Sequence, residues 1–228
     1  MKKIIAIQAD KINSINIKTD TTFQLVLEAQ NRGYRIFWYE TKDLNLLNKK
    51  VIAKADQIKF FDNSKNYFKK INKINLDLSK TKFVLMRQNP PFNMDYITAT
   101  FYLEFLKKTK VVNNPKSVRN ISEKFYSINF LKMMPPTIFT ENIQEIKKFL
   151  KKNKKIIVKP INSYSGNSIH LLTKFDHGFF KKFIKKHDYI MCQKYLPKIN
   201  LGDKRVFLIN GKVFGAISRI PRKGSFLS

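Results

Sequence analysis

The stretch from Lys3 to Glu40 restricts the fold more than any other. KIIAIQA (3–9) is an apolar run with the length of a strand. Thr21-x-x-Gln24 has capping-box form, and FQLVLEAQNRG makes a helix of four turns or fewer, closed by Gly33. YRIFWYE (34–40) is a second apolar strand. Two buried strands joined through a helix are parallel neighbours rather than a hairpin, so the chain opens β-α-β, as α/β domains do. The start, MKKIIAIQAD, imitates a signal peptide, but its apolar core is too short, Asp10 interrupts it, and no small-residue cleavage site follows. It reads instead as the first strand of a cytoplasmic protein.

Farther along, KFVLMR (82–87) is another strand, stopped by Asn89-Pro90-Pro91, where amide hydrogens are missing. Asp95 can cap a helix running to about Lys108, and VVNN (111–114) reads as a short buried strand stopped by Pro115. Beyond a boundary near residues 115–122 the pattern changes. A helix near 120–132 precedes strand TIF, a helix at 141–152, strand KIIVKP (155–160) and a polar loop. Strand IHLLT (169–173), a helix at 176–187 and strand DYIMCQKY (188–195) follow, then a hairpin turning at Asn210-Gly211.

Composition limits the function classes. No apolar run approaches the roughly 18 residues a membrane span needs. One cysteine, Cys192, excludes an internal disulfide and fits a reducing compartment. The net charge of +29 suggests nucleic acid, yet only seven of the 45 basic residues are arginines. The lysines are spread along the chain and densest at the ends of predicted helices, where they complement the helix dipole and stay solvated. Together with abundant Ile and Asn they fit an A/T-rich codon bias better than a dedicated nucleic-acid surface.

Nucleophile and metal chemistry find no support. His170, His177 and His187 have no Cys or carboxylate cluster around them, Cys192 falls inside an apolar strand, and neither a GxSxG elbow nor a Walker A motif is present. Three local features carry more. In IIVKPINSYSGNSIHL (156–171) a strand ends at Lys159-Pro160 and opens into small polar residues including Ser165 and Gly166. Backbone N–H groups of such a loop can face phosphate oxygens, and an ordinary hairpin loop reads the same way. A Lys–phosphate contact at about 4 Å gains roughly 4 kcal/mol per unit charge before desolvation. QKYLP (193–197) leaves its apolar pattern before Pro197, so Lys194, Tyr195 and Leu196 offer backbone groups to whatever lies beside them. In the hairpin, simple pairing about Asn210-Gly211 sets Arg205 opposite Ala216 and Asp203 opposite Ser218. Two charges then lie on an otherwise apolar face, which is either covered, with a ligand or partner answering the charges, or a frayed, solvated hairpin end; Arg219 falls on the opposite face unless a bulge intervenes.

In this order the features resemble the ATP-grasp superfamily, and within it prokaryotic glutathione synthase. The segments that carry the resemblance are INIKTDTTFQLVLEAQNRGY (15–34), VLMRQNPPFNMDYITATFYLE (84–104), VVNNPKSVRNISEKFY (111–126), IIVKP, QKYLP, GDKRVFLINGKV (202–213) and RIP (219–221). The resemblance implies an α/β chain with an N-terminal parallel-sheet (pre-ATP-grasp) domain over 1–118. A partial ATP-grasp α+β domain follows over 119–228, with a small subdomain at about 119–195 and the start of a large one at 196–228. It implies ATP-dependent ligation of γ-glutamylcysteine with glycine, in which the cysteinyl carboxylate is phosphorylated and the glycine amine attacks the acylphosphate. ATP and Mg²⁺ (or Mn²⁺) are the implied cofactors, and a homotetramer the implied assembly. Lys124 and Lys159 resemble the paired lysines on the ATP phosphates, with Ser165 and Gly166 in the covering loop. Lys194, Tyr195 and Leu196 look like the adenine-edge linker, and Asp203 like the residue near the ribose. Arg205 and Arg219 look like the cations facing substrate carboxylate and transferred phosphate. Arg87, Asp20 and Thr21 match motifs lying toward the peptide substrate. Two departures stand out. The phosphate loop is poorer in glycine than the family's, and the chain stops at RKGSFLS, before the family's metal ligands. The expectation is therefore a fragment whose metal ligands would lie beyond Ser228 and which does not turn over by itself. A basic nucleic-acid-associated protein and another ATP-grasp carboxylate–amine ligase are the alternatives.

Overall fold

The computed structural model describes residues 3–63, 65–163 and 168–222. By contacts the chain divides into two units, Met1–Ser122 and Glu123–Ser228. In the first unit, β1 (Ile4–Gln8) is buried at every position, and α1 (Thr21–Asn31) returns the chain to β2 (Arg35–Tyr39). The two strands pair in parallel from Ile4↔Arg35 to Gln8↔Tyr39, as the β-α-β opening requires. Gly33, at φ +79°, allows the left-handed residue that ends α1 and lets the Tyr34 N–H close on the Ala29 carbonyl. The cap of α1 is Asp20, whose carboxylate accepts from the Thr22 N–H at 2.7 Å; Thr21 is the first helical residue rather than the cap.

Between β2 and KFVLMR lie three strands that the chain's pattern had not announced: β3 (Leu44–Leu47), β4 (Lys50–Phe60) and β5 (Phe68–Asp77). All are antiparallel additions, with β4 pairing β3, β2 and β5. β6 (Phe83–Met86) lies parallel to β1 on its other side. α2 (Met94–Glu104) is capped by Asn93, which accepts from the Tyr96 N–H at 3.0 Å; Asp95 sits inside the first turn, and the helix ends short of Lys108. β7 (Lys110–Val112) continues the parallel set, but at the sheet's edge and not buried. Pro115 does not merely stop it. It opens α3 (Pro115–Asn120), where a missing N–H costs nothing.

Alternation along these strands sends side chains to two covered faces. Ile5, Ile7, Ile36 and Trp38 pack with Phe23 and Val26 of α1, while Ala6, Phe37 and Tyr39 pack with Ala99 and Leu103 of α2.

The second unit begins with short 3-10 turns over Phe125–Met133, in place of the regular helix expected near 120–132. Then follow β8 (Thr137–Thr140), α4 (Ile143–Asn153), β9 (Ile156–Pro160), β10 (His170–Leu172), α5 (His177–His187) and β11 (Ile190–Lys194). The four strands form an antiparallel sheet in the order β10-β9-β11-β8. One face is dry: Ile156, Val158, Ile190 and Cys192 meet Ile146 and Leu150 of α4 and Phe180 and Phe183 of α5. Burial pushes the Cys192 thiol up to about 12, so it is an inert core residue.

β12 (Asp203–Ile209) and β13 (Lys212–Arg219) form a separate two-stranded sheet. Its register differs from simple pairing. Leu208 opposes Val213 but Phe207 opposes Gly215, leaving Phe214 as an extra bulged residue. The bulge shifts every later pair, so Asp203 opposes Arg219 and Arg205 opposes Ile217. The face carrying these charges is also not covered: Phe207 and Ile217 are 43% and 49% exposed.

Candidate functional site

Strand alternation builds the site in the second unit. If Ile156, Val158, Ile190 and Cys192 face the helices, then Lys159 on β9, Met191 and Gln193 on β11, and Thr137 and Phe139 on β8 face the other way. The register supports this, since Met191 lies opposite both Lys159 and Phe139 and Gln193 opposite Thr137. Across this open face Phe125 sets its ring edge-on to Phe139, 5.3 Å between centroids, which seats the 3-10 segment over the sheet. A cavity of about 320 Å³ results, with Lys159, Met191 and Ile169 on one side and Lys124, Ser127 and Met134 on the other. Met134, Ile169 and Met191 stand beside two ammonium groups, with Ser127, Ser163 and the Glu123 carboxylate also at the wall, so the cavity suits a small ligand with an apolar part and an anionic part.

Lys124 and Lys159 are both kept from water. The Lys124 side chain is only 13% exposed; its Nζ donates to the Ser163 carbonyl, with the Ser163 Oγ at 3.4 Å. Desolvation lowers its pKa from the ordinary lysine value, partly opposed by Glu123, whose carboxylate lies 4.0 Å away. Desolvation also lowers the pKa of Lys159, and the Lys124 charge adds to that effect. Two partly desolvated cations facing one cavity are mutually unfavourable until an anion enters. Ser165 and Gly166, in the loop between β9 and β10, lie outside the described residues.

The linker after β11 is held on both sides. The Lys194 N–H donates to the Pro136 carbonyl at 2.9 Å and the Tyr195 N–H to the Lys155 carbonyl at 3.0 Å. The Lys155 ammonium lies 4.4 Å from the centre of the Tyr195 ring. Leu196 leads into a 3-10 turn over Pro197–Leu201 and is 52% exposed.

On the hairpin the bulge brings Asp203, Arg205 and Arg219 to one face. The Arg219 guanidinium donates through Nε to Asp203 Oδ1 at 2.7 Å and through Nη2 to Oδ2, a bidentate pair. Gly202 makes this possible. It sits at φ +94°, and a Cβ there would stand 2.4 Å from the Arg219 carbonyl oxygen.

In the first unit, Asp20, Thr21 and Arg87 line a second cavity of about 320 Å³ with Ser14, Asn16, Thr22 and Asn89. Arg87 Nε donates to Thr22 Oγ1 at 2.9 Å, which aims the guanidinium at the N-terminal end of α1. Asn89 is held through its backbone and side-chain N–H groups by the Asp10 carboxylate, at 3.1 and 2.7 Å. Sequence reasoning missed Thr22 and Asn89 here, Met191 and Ser163 in the other cavity, and Gln193, which holds Lys159 from beside it. The period-two alternation of β11, with Gln193 out of phase with Cys192, was the available signal.

The family models and the similar sequences agree on one family. The model for the prokaryotic glutathione synthetase N-terminal domain matches residues 3–119, and that for the prokaryotic glutathione synthetase ATP-grasp domain matches residues 123–228. The chain is 39% identical over 227 residues to a glutathione synthetase of Mesorhizobium japonicum, covering 97% of this chain and 72% of that protein. It is 35% identical over 226 residues to one of Bradyrhizobium diazoefficiens, with 97% and 72% covered. Against one of Buchnera aphidicola subsp. Acyrthosiphon pisum it is 38% identical over 229 residues, covering 96% and 71%. Among solved structures, D-alanyl-alanine synthetase A of Vibrio cholerae superposes with a TM-score of 0.62 at 14% identity, covering 100% of this chain and 69% of that one. A RimK domain ATP-grasp protein of Sphaerobacter thermophilus gives 0.59 at 13% identity, with 95% and 72% covered. These two likenesses concern the fold.

Proposed function

The chain belongs to the prokaryotic glutathione synthetase family, and from that premise we propose how its own residues divide the work of joining γ-glutamylcysteine to glycine at the expense of ATP. The activity is ATP-dependent carboxylate–amine ligation. The observation that carries the residue assignment is the convergence of Lys124 and Lys159 on one cavity of the open sheet face.

In this reading the nucleotide base lies against Met191, Ile169 and Met134, beside the strand that leads into Lys194-Tyr195-Leu196. Because the Lys194 and Tyr195 N–H groups are already engaged within the protein, adenine reads the remaining backbone groups of the linker, with Leu196 as the donor. The phosphates take the Lys124 and Lys159 ammonium groups, which relieves their mutual repulsion and their desolvation together. Arg205 and Arg219 serve the carboxylate and the phosphoryl group in transfer. Asp203, through its bidentate hold, fixes the direction of Arg219 and lies toward the ribose. In the first unit the Arg87 cavity takes a carboxylate of the peptide, with Asp20 holding the start of α1 and Thr21 beside it. Magnesium ions belong to the proposed reaction, but the described residues contain no group of three or more His, Cys, Asp or Glu side chains able to hold one. A cytoplasmic homo-oligomer is the proposed setting; no helix among the described residues is long and apolar enough to cross a membrane.

Calorimetric titration of ATP into the chain and into Lys124→Met and Lys159→Met tests the nucleotide site. Each variant is expected to bind roughly tenfold or more weakly, the size of one lost charged hydrogen bond. Equal affinity in all three proteins would refute the assignment. ADP release with γ-glutamylcysteine and glycine, against other acyl and amine pairs, tests the substrates in a chain extended to the length of its relatives; release with another pair alone would overturn them.

A further inference from the structure

Lys159 does not reach its cavity unaided. Its Nζ lies 3.0 Å from Gln193 Oε1, Gln193 Nε2 lies 3.0 Å from Thr137 Oγ1, and that hydroxyl lies 2.7 Å from the Pro135 carbonyl oxygen. The row runs across β9, β11 and β8 on the open face and ends on main chain. Its hydrogen-bond directions have one solution. A carbonyl oxygen can only accept, so the single hydroxyl proton of Thr137 goes to Pro135. The Thr137 oxygen then offers only lone pairs to Gln193, so the amide group beside it is the NH₂. That turns the Gln193 oxygen toward Lys159; the flipped amide would aim N–H at an ammonium. The acceptor is also neutral. A carboxylate in its place would grip the ammonium more firmly but would cancel the charge that the cavity offers an anion.

We propose that Gln193 and Thr137 are positioning residues for Lys159: Thr137 locks the orientation of the Gln193 amide, and Gln193 points the ammonium into the cavity without neutralising it. Lysine needs this help more than arginine does, because its charge rides on a flexible four-carbon stem with no fixed fork. The proposal rests on the reading of Lys159 as a phosphate ligand, and the test separates the two.

ATP affinity is measured by calorimetry for Gln193→Met, Gln193→Glu, Thr137→Val and Thr137→Ser, with Lys159→Met as the control. Gln193→Met and Thr137→Val are expected to weaken binding roughly threefold to tenfold, the range of one lost hydrogen bond. Thr137→Ser, which keeps the hydroxyl, should bind like the parent. Gln193→Glu should be the weakest of the four, although it keeps an acceptor beside Lys159; a merely structural role for Gln193 would not produce that order. Parent-like affinity in Gln193→Glu, or equal effects of Thr137→Val and Thr137→Ser, would overturn the proposal. If Lys159→Met leaves affinity unchanged, the phosphate reading fails, and the relay is judged on the ¹³Cε titration of Lys159. That titration should move to higher pH in Gln193→Glu and to lower pH in Gln193→Met and Thr137→Val. The same midpoint in all proteins would sink the relay.

Discussion

The central strands of the first unit's sheet are covered by helices on both faces, whereas the four-stranded sheet of the second unit has helices on one. The difference decides where chemistry can sit. The first sheet's central strands are dry on both faces, and the Arg87 cavity lies where KFVLMR leaves the sheet. The second sheet commits alternate residues to the core and leaves the rest free to carry Thr137, Lys159 and Gln193. A single strand such as IIVKP therefore holds structural and functional residues in strict alternation.

Substitutions on the two sides of β9 and β11 should break apart into different phenotypes. Phe180→Ala, on the helix that covers the dry face, removes a side chain with no exposure and is expected to cost about 3–5 kcal/mol in urea unfolding. A loss below about 1 kcal/mol would mean that face is not the core of the unit. Gly202→Ala should cost about 1–3 kcal/mol of local stability through its positive φ and the approach to the Arg219 carbonyl. Amide exchange along β12 and β13 would register the loss, and unchanged protection there would refute the close contact. Lys159→Met, on the open face, should leave the unfolding midpoint unchanged or raised while ATP affinity falls. Co-ordinate loss of both would erase the distinction between the faces.

The smallest effect expected concerns pH. Lys124 and Lys159 titrate below the ordinary lysine value of 10.5, so over that interval the folded chain holds fewer protons than the unfolded one. Their contribution to stability therefore rises with pH from the lowered values up to 10.5. ATP affinity should fall over the same interval, because bound phosphate favours the charged forms. The double variant Lys124→Met/Lys159→Met should lose this slope relative to the parent; identical slopes would show that neither lysine is desolvated.

Much of this arrangement was legible in the chain, and the exceptions have physical causes. β1, β2, β6 and the strands of the second sheet are apolar enough to be read directly. β5 was invisible because most of its residues are exposed, with Lys69, Lys70 and Lys73 along a strand that pairs only with β4, so no alternation marks it. The β3–β4 turn was missed because Asn48 and Lys49, both at positive φ, do what Asn-Gly usually does. Helix caps at Asp20 and Asn93 were misplaced by one or two residues, since neighbouring Thr21 and Asp95 are equally capable side chains. Of the site, both lysines could be named, but Gln193 and Thr137 could not, because Gln193 meets Thr137 straight across and Lys159 diagonally, through a register of three strands that no local pattern announces.

The bulge at Phe214 gives the hairpin a parity. With one extra residue on the return strand, Arg205 and Arg219 count to the same side; with none, or with two, they count to opposite sides. Deleting the single uncharged residue Phe214 would thus turn Arg219 away from Asp203 and Arg205 while keeping both strands and every charged residue of the hairpin. The even or odd number of residues between the two arginines is itself part of what the sequence encodes about this end of the hairpin.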